Sequence, residues 1–255
     1  MDNRIFVTPF FLDQPRPGLK EVARADMQIN EPDLPEGDVQ ERMIAIQRPL
    51  SALVTTAVHN GKRPVSIAGD CCTTIGVLAG LQKAGLWPTL IWFDAHGDFN
   101  TWETTPSGFL GGMPLAMLVG RGEMRMAEAL EMETLPEERV ILTDARDLDP
   151  EEAMAVQESA VNHLSDVEEL LDAPLPKGPL YVHFDVDVID VEEVPAVSYP
   201  AADGPSVALL GQVFDRLAAS GQVAAVSLSS WTPEMDPDGR SREAAMALLQ
   251  RLISN

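Results

Sequence analysis

The sequence predicts an α/β fold built on a parallel sheet, and three observations point there. Short apolar runs alternate with helix-like segments along the whole chain. The runs are rich in Val, Ile and Leu and continuous rather than alternating, as in strands buried on both faces. No long linker, internal repeat or low-complexity tract divides the 255 residues, a length ordinary for one α/β unit, so residues 1–255 read as a single domain.

The elements follow in order. Arg4–Phe11 is the first strand-type run, and the Pro- and acid-rich stretch Asn30–Asp38 reads as a surface loop. Met43, Ile46, Leu50, Leu53, Val54 and Ala57 have helical spacing, with Pro49 expected to kink or split that helix. Pro64–Ala68 is the next run. Thr73–Ala84 is helical in composition and ends at Gly85, a natural stop. Thr89–Phe93 and Arg139–Thr143 are further runs. Ser165-Asp-Val-Glu168 reads as a capping box that opens a helix. Leu180–Phe184 is a run, Ser206–Ala219 a helix ending near Gly221, Val223–Leu228 the last run, and Ser241–Ile253 an amphipathic closing helix.

Composition excludes several functions. Eighteen Lys and Arg against 40 Asp and Glu give a net charge of −22, which opposes nucleic-acid binding and docking on an anionic membrane. Hydrophobic residues are 45% of the chain, too many for a disordered acidic segment. Cys71 and Cys72 are adjacent and badly placed to bridge each other, which fits a reducing compartment. The N-terminus lacks a basic region before its short apolar stretch, and no apolar run approaches the ~20 residues of a membrane span. A soluble cytoplasmic protein with a small-molecule substrate is the expectation.

Open parallel sheets bind ligands beyond the carboxyl ends of their strands. Thr89–Phe93 is followed by Asp94-Ala-His96-Gly-Asp98, Leu180–Phe184 by Asp185-Val-Asp187 with Asp190 beyond, and Pro64–Ala68 by Gly69-Asp70-Cys71. Two-residue spacing lets side chains converge on one side of an extended chain. The first motif alone could be a solvated turn. Carboxylates from two strand ends crowded at one rim repel unless a cation sits between them, so a divalent site, binuclear or mononuclear, is the economical reading. Oxygen donors with one imidazole suit Mn²⁺. Paired metals about 3.5–4 Å apart lower the pKa of a shared water and supply hydroxide near neutral pH.

With these motifs the chain resembles the arginase/agmatinase (ureohydrolase) family, over most of its length from Gly69-Asp70 to Trp231-Thr-Pro233. AGDCC, FDAHGDFNTWETTPSG, ARDLDP, HFDVDVID and SSWTPEMD carry the likeness by order and spacing. The resemblance implies a three-layer α/β/α fold with a mostly parallel central sheet. It implies a Mn²⁺-dependent hydrolase that cleaves a linear C–N bond in a guanidino, hydroxyguanidino or amidino group by metal-activated hydroxide. It assigns Asp94, His96, Asp98, Asp185 and Asp187 to metal, with Asp94 and Asp185 bridging and Asp98 shuttling the proton. Asn100 and Ser107 match positions that hold a substrate α-carboxylate, and Asp149 matches the acid near the α-amino group, although Asp149 before Pro150 could equally cap a helix. Family members often assemble, so a homo-oligomer is also implied.

The sequence departs from the family at three places. The usual GGDHS is AGDCC, so Cys71 replaces a ligating His, and the second of two ions binds weakly if the thiolate serves poorly. A His near the scissile group is replaced by Gly111, which removes a proton-transfer role. The acid that pairs with a guanidinium is Ser230, which suits a less basic head group. Cys71 and Gly111 resemble a narrower group that hydrolyses Nω-hydroxy-arginine in D-cycloserine biosynthesis. His183 reads either as a ligand or neighbour of the metal, or as a packed strand-end histidine. Trp102, Glu103 and Trp231 read as pocket-lining or as packing, and Arg121 and Arg125 as solvated. The alternative from another class is a catalytically silent protein that binds metal or ligand for regulation or assembly. Retention of the acidic set argues against it, because buried like charges are costly without a use.

Overall fold

In the computed structural model, which describes residues 1–254, the apolar runs form one eight-stranded sheet whose pairings are parallel throughout. The strands are β1 (Asn3–Thr8), β2 (Phe10–Phe11), β3 (Gln14–Pro15), β4 (Gln28–Ile29), β5 (Arg63–Ala68), β6 (Thr89–Asp94), β7 (Val140–Asp144), β8 (Asn162–Leu164), β9 (Leu180–Asp185) and β10 (Val223–Ser229). The helices are α1 (Val39–His59), α2 (Thr73–Lys83), α3 (Pro114–Leu118), α4 (Arg125–Ala129), α5 (Pro150–Glu158), α6 (Glu169–Asp172), α7 (Val207–Ala219) and α8 (Arg240–Ile253). The sheet order is β4-β1-β5-β10-β9-β6-β7-β8, while β2 and β3 form a separate antiparallel hairpin.

Strand side chains alternate between two cores. Leu90 and Trp92 of β6 join Leu50, Val54, Ile75 and Leu78 of α1 and α2. Ile91 and Phe93 join Leu210 and Phe214 of α7 and Leu248 and Leu252 of α8. Both faces of the sheet are therefore covered, which is why the strands read as continuous apolar runs. The expected three layers are present. Among the described residues no helix is long and apolar enough to cross a membrane.

Several elements differ from expectation. The run Arg4–Phe11 breaks at Pro9, which has no N–H to donate, and Phe10–Phe11 turns away into the hairpin. Pro49 does not split its helix, since α1 is continuous over 21 residues. Close packing on α2 holds it: a Cβ at Gly80 would lie 2.5 Å from the Ser51 carbonyl oxygen, and Thr55 Oγ1 donates to the Gly80 carbonyl at 3.0 Å. The box expected at Ser165 does not form, and α6 carries no side-chain cap. Asp166 accepts from Glu168 N at 2.8 Å, and only the short α6 follows. Asn30–Asp38 is a loop, but Asn30 is buried and donates to Thr8 Oγ1 and the Ile46 carbonyl. The edge strands β4 and β8 have two and three residues, too short for a periodic signal.

The connectivity places the site. From β5 the chain crosses to β6, then builds outward through β7 and β8, and β9 and β10 later fill the gap. The reversal lies among the central strands, where loops diverge and leave a crevice. The sequence expectation put the ends of β5, β6 and β9 side by side. The structure inserts β10 between β5 and β9, so Ser229 and Ser230 also reach the rim.

Candidate active site

The rim is shaped by strand geometry first. Period-two alternation aligns Trp92 with Asp94 on β6, and Tyr181 with His183 and Asp185 on β9. Trp92 Nε1 donates to Asp94 Oδ2 at 3.0 Å and aims that carboxylate. After β5 the backbone must pass close to the hairpin. A Cβ at Gly69 would run into the Phe10 carbonyl, so only glycine fits. Asp70 then accepts from Leu12 N at 2.7 Å and from Cys72 N at 2.9 Å, which fixes the turn presenting Cys71.

Two groups of donor atoms are compact enough to share an ion, and Asp94 belongs to both. Cys71, Asp94, His183 and Asp185 form one, and Asp94, His96 and Asp187 the other, with the ligand atoms of each group within 4.8 Å of one another. Cys71 Sγ lies 2.7 Å from Asp185 Oδ2, 3.2 Å from His183 Nε2 and 3.8 Å from Asp94 Oδ2. His96 Nδ1 lies 3.3 Å from Asp94 Oδ1 and 3.2 Å from Asp187 Oδ2. Asp98 lies outside both groups but lines the same cavity, and its Oδ2 is buried without a hydrogen-bond partner. Asp190 turns away and caps Glu192 N.

The cavity has a volume of about 410 Å³ and is lined by Cys71, Asp94, His96, Asp98, Asp185 and Asp187. Asn100, Ser107, Asp149 and Ser230 line it too, so the expected substrate contacts converge with the acidic floor. Asn100 Nδ2 donates to Asp149 Oδ2 at 3.0 Å, while Asp149 sits at the N-cap of α5. Asp149 therefore caps α5 and lines the cavity at the same time. Ser230 has φ +69° and donates to Asp185 Oδ2, so its hydroxyl is turned down onto the floor. Trp102 is exposed and donates to Glu123, and Trp231 is buried and donates to Asp236 at 2.9 Å. Neither lines the cavity, nor does Glu103. Arg121 and Arg125 are ion-paired, to Glu137 and to Asp38 and Glu41.

Electrostatics follow from burial and crowding. Burial pushes the Cys71 thiol well above its ordinary range, and Asp185, Asp98 and Asp94 add to it. Burial, then neighbouring carboxylates, lift Asp98 and Asp187 well above the usual carboxylate range. For His96, burial acts downward, but Asp187 and Asp94 outweigh it and hold the imidazole up at about 12. Burial drives His183 down to about 3, so that ring is neutral. The arrangement thus calls for positive charge at Asp94 and Asp187, and offers a neutral nitrogen and a thiol on the deeper side.

Sequence reasoning missed Glu152, Asp147 and an aromatic wall. Glu152 is buried, lines the cavity, and accepts from Phe99 N at 2.8 Å and Asp149 N at 3.2 Å. Burial lifts it to about 7. The Asp149-Pro-Glu-Glu152 spacing, a capping-box signature, was the available signal. Phe11, Phe109 and Tyr199 line the mouth, with Phe109 ring centroids 6.2 Å from Phe11 and 5.1 Å from Tyr199. They come from β2 and two distant loops and carry no shared local pattern.

The chain is similar to known proteins over most of its length. The arginase family profile matches residues 15–254. Arginase from Bacillus subtilis is 30% identical over 224 residues, which cover 83% of this chain and 75% of that one. A crystal structure of arginase from Bacillus subtilis superposes with a TM-score of 0.85 at 25% identity, covering 100% of this chain and 99% of that one. Agmatine ureohydrolase of Thermoplasma volcanium shares the fold, with a TM-score of 0.72 at 20% identity over 99% of this chain and 89% of that one.

Proposed function

The chain belongs to the arginase family of metal-dependent C–N hydrolases, and from that premise we propose that it is a Mn²⁺-dependent hydrolase of an arginine-like small molecule with a guanidino, hydroxyguanidino or amidino head. The observation that carries the reading is the pair of donor groups sharing Asp94 on the floor of a cavity rimmed by Asn100, Ser107 and Asp149. The donors fit divalent ions. Asp94, His96 and Asp187 are an oxygen-rich set with one imidazole, and Asp98 Oδ2 is a buried acceptor still lacking a partner. Cys71, Asp94, His96, Asp98, Asp185 and Asp187 would hold the cations. When bound, these supply a water acidic enough to act as nucleophile near neutral pH.

The chain's own residues do the rest. Asn100 and Ser107 take the α-carboxylate and Asp149 the α-amino group, which orients the head toward the floor. Water adds at the head-group carbon, forming a C–O bond, and the bond from that carbon to the alkyl nitrogen then breaks as the nitrogen takes up a proton. Asp98 takes the proton that the adding water loses and passes it to the departing nitrogen. Gly111 supplies no acid or base. Ser230, engaged with Asp185, places no free carboxylate beside the head, which favours a hydroxyguanidine over a fully cationic guanidinium. Such a substrate plus water gives the α,δ-diamino acid and hydroxyurea. The test is a product screen for urea, hydroxyurea and ammonia across guanidines, hydroxyguanidines and amidines with Mn²⁺. Hydroxyurea from Nω-hydroxy-L-arginine is the expected result, and turnover of other amidines alone would sink this choice of head group. No turnover of any, with metal bound, would favour a silent binding protein.

A further inference from the structure

We propose that His183 joins Cys71, Asp94 and Asp185 as a ligand, making a sulfur–nitrogen–oxygen cage that selects a zinc-class cation, so that the two halves of the centre hold unlike metals. The inference rests on reading the cavity floor as a cation centre.

The deep group differs from the outer one in kind. Its donors are one thiol, one imidazole and two carboxylates, all buried. The atoms lie within 4.8 Å of one another. That is about the span across an ion whose ligands sit at about 2.0–2.3 Å, as for four-coordinate zinc. The outer group, Asp94, His96 and Asp187, contains no sulfur, and its imidazole is partly exposed at the cavity. Thiolate and imidazole favour zinc and its soft-tolerant neighbours, whereas carboxylate and water favour manganese.

The surroundings of His183 are those of a ligand. Its Nε2 faces Cys71 Sγ at 3.2 Å, and its Nδ1 pairs with Ser227 Oγ at 2.8 Å. Ser227 pairs in turn with the Tyr181 hydroxyl at 2.8 Å. With Nδ1–H donating to Ser227 Oγ, the Nε2 lone pair is left toward the site, the usual way a ligating ring is oriented. Trp92 packs against the ring at 3.9 Å between centroids, and Trp92 Nε1 also aims Asp94. Ser229 Oγ and Ser230 Oγ donate to Asp185 Oδ2, and Asp187 N donates to its Oδ1 at 2.9 Å, so both oxygens of the carboxylate are held in place. On binding, the Cys71 proton leaves to solvent and sulfur donates its electron pair to the cation.

The whole chain, stripped of metal, is dialysed against equimolar Zn²⁺ and Mn²⁺ and its metal content measured, and X-ray absorption at the zinc edge reads the ligands. The expected result is one zinc and one manganese per chain, with a sulfur at about 2.3 Å and imidazole on the zinc. Zinc with only nitrogen and oxygen neighbours, or two ions of the same metal, overturns the proposal while leaving the hydrolase reading intact. Failure to bind any ion overturns both. Co²⁺ then probes the variants. The near-ultraviolet sulfur-to-cobalt band is expected to vanish in Cys71→Ser and persist in His96→Gln. His183→Gln should weaken zinc binding by more than about 10-fold, and Ser227→Ala, which keeps the ring, by about 10-fold. Unchanged zinc affinity in both His183→Gln and Ser227→Ala would show that His183 only packs.

Discussion

The Phe109 ring fills the space in which a side chain at Gly111 would begin. A Cβ at Gly111 would meet Phe109 Cε1 and Cζ well inside contact distance. In sequence, Gly111 reads only as the loss of a family histidine. In the structure that volume has been taken over by an apolar wall which Phe109 shares with Phe11 and Tyr199.

This relationship predicts non-additivity. Gly111→Ala alone should destabilise the protein by about 1–3 kcal/mol through overpacking, or displace Phe109 from the mouth. In a Phe109→Ala background the same change should cost much less. The coupling expected from a double-mutant cycle in denaturant melts is about 0.5–3 kcal/mol. Strict additivity would show that the two residues do not compete for this volume.

Ser230 carries two separable features, a left-handed backbone and a hydroxyl on Asp185. Ser230→Gly and Ser230→Ala both remove the hydroxyl and should weaken Mn²⁺ or Zn²⁺ binding alike, by about 10-fold. Only Ser230→Ala keeps a Cβ at φ +69° without a compensating bond, so it should be less stable than Ser230→Gly by about 1 kcal/mol. Calorimetric titration and thermal melts read the two effects apart. Ser230→Glu should raise kcat/KM for guanidines relative to hydroxyguanidines. Unchanged selectivity would mean that position 230 does not meet the head group.

How far the sequence reaches is decided by range. Asp94, His96, Asp185 and Asp187 were legible because they lie within three residues of the end of an apolar run, and strand-end position is a local property. Asn100, Ser107 and Asp149 needed the family resemblance, since loop residues carry no periodicity. His183 was ambiguous because its meaning depends on Ser227 and Trp92, which are neighbours only across the sheet. Phe109 over Gly111 could not be read at all, because sequence shows what a substitution removes but not what moves in. Pro49 does not end α1, because helix propensity is a weak prior against the packing of α1 on α2.

Removing cations should expose the repulsion among the buried acids. A divalent ion that binds only the folded chain stabilises it by about 2.7 kcal/mol at 100 times its Kd. For a chain of this length that corresponds to roughly 5–10 °C in Tm. Melts with Mn²⁺ and with chelator should differ by that amount, and the gap should shrink in Asp187→Asn. A Tm indifferent to both metal and chelator would contradict the cation reading of Asp94 and Asp187.

Asp236 predicts an acid-dependent loss of stability away from the cavity. Its carboxylate accepts from Trp231 Nε1 at 2.9 Å, Arg242 N at 2.8 Å and Ser241 N at 3.2 Å, tying the segment after β10 to the start of α8. Burial acts to raise its pKa, but the donors from Arg242, Trp231 and Ser241 outweigh it and hold it below the usual value. A group depressed in the folded state stabilises fully above its unfolded pKa, about 3.9 for Asp, and loses that contribution as pH falls through the lower folded value. Asp236→Ala should therefore cost about 2 kcal/mol at pH 7. The difference between wild type and variant should narrow progressively below about pH 4. Urea melts across this range check the sign, and a difference that grows on acidification would refute the assignment of Asp236 as an ionised cap.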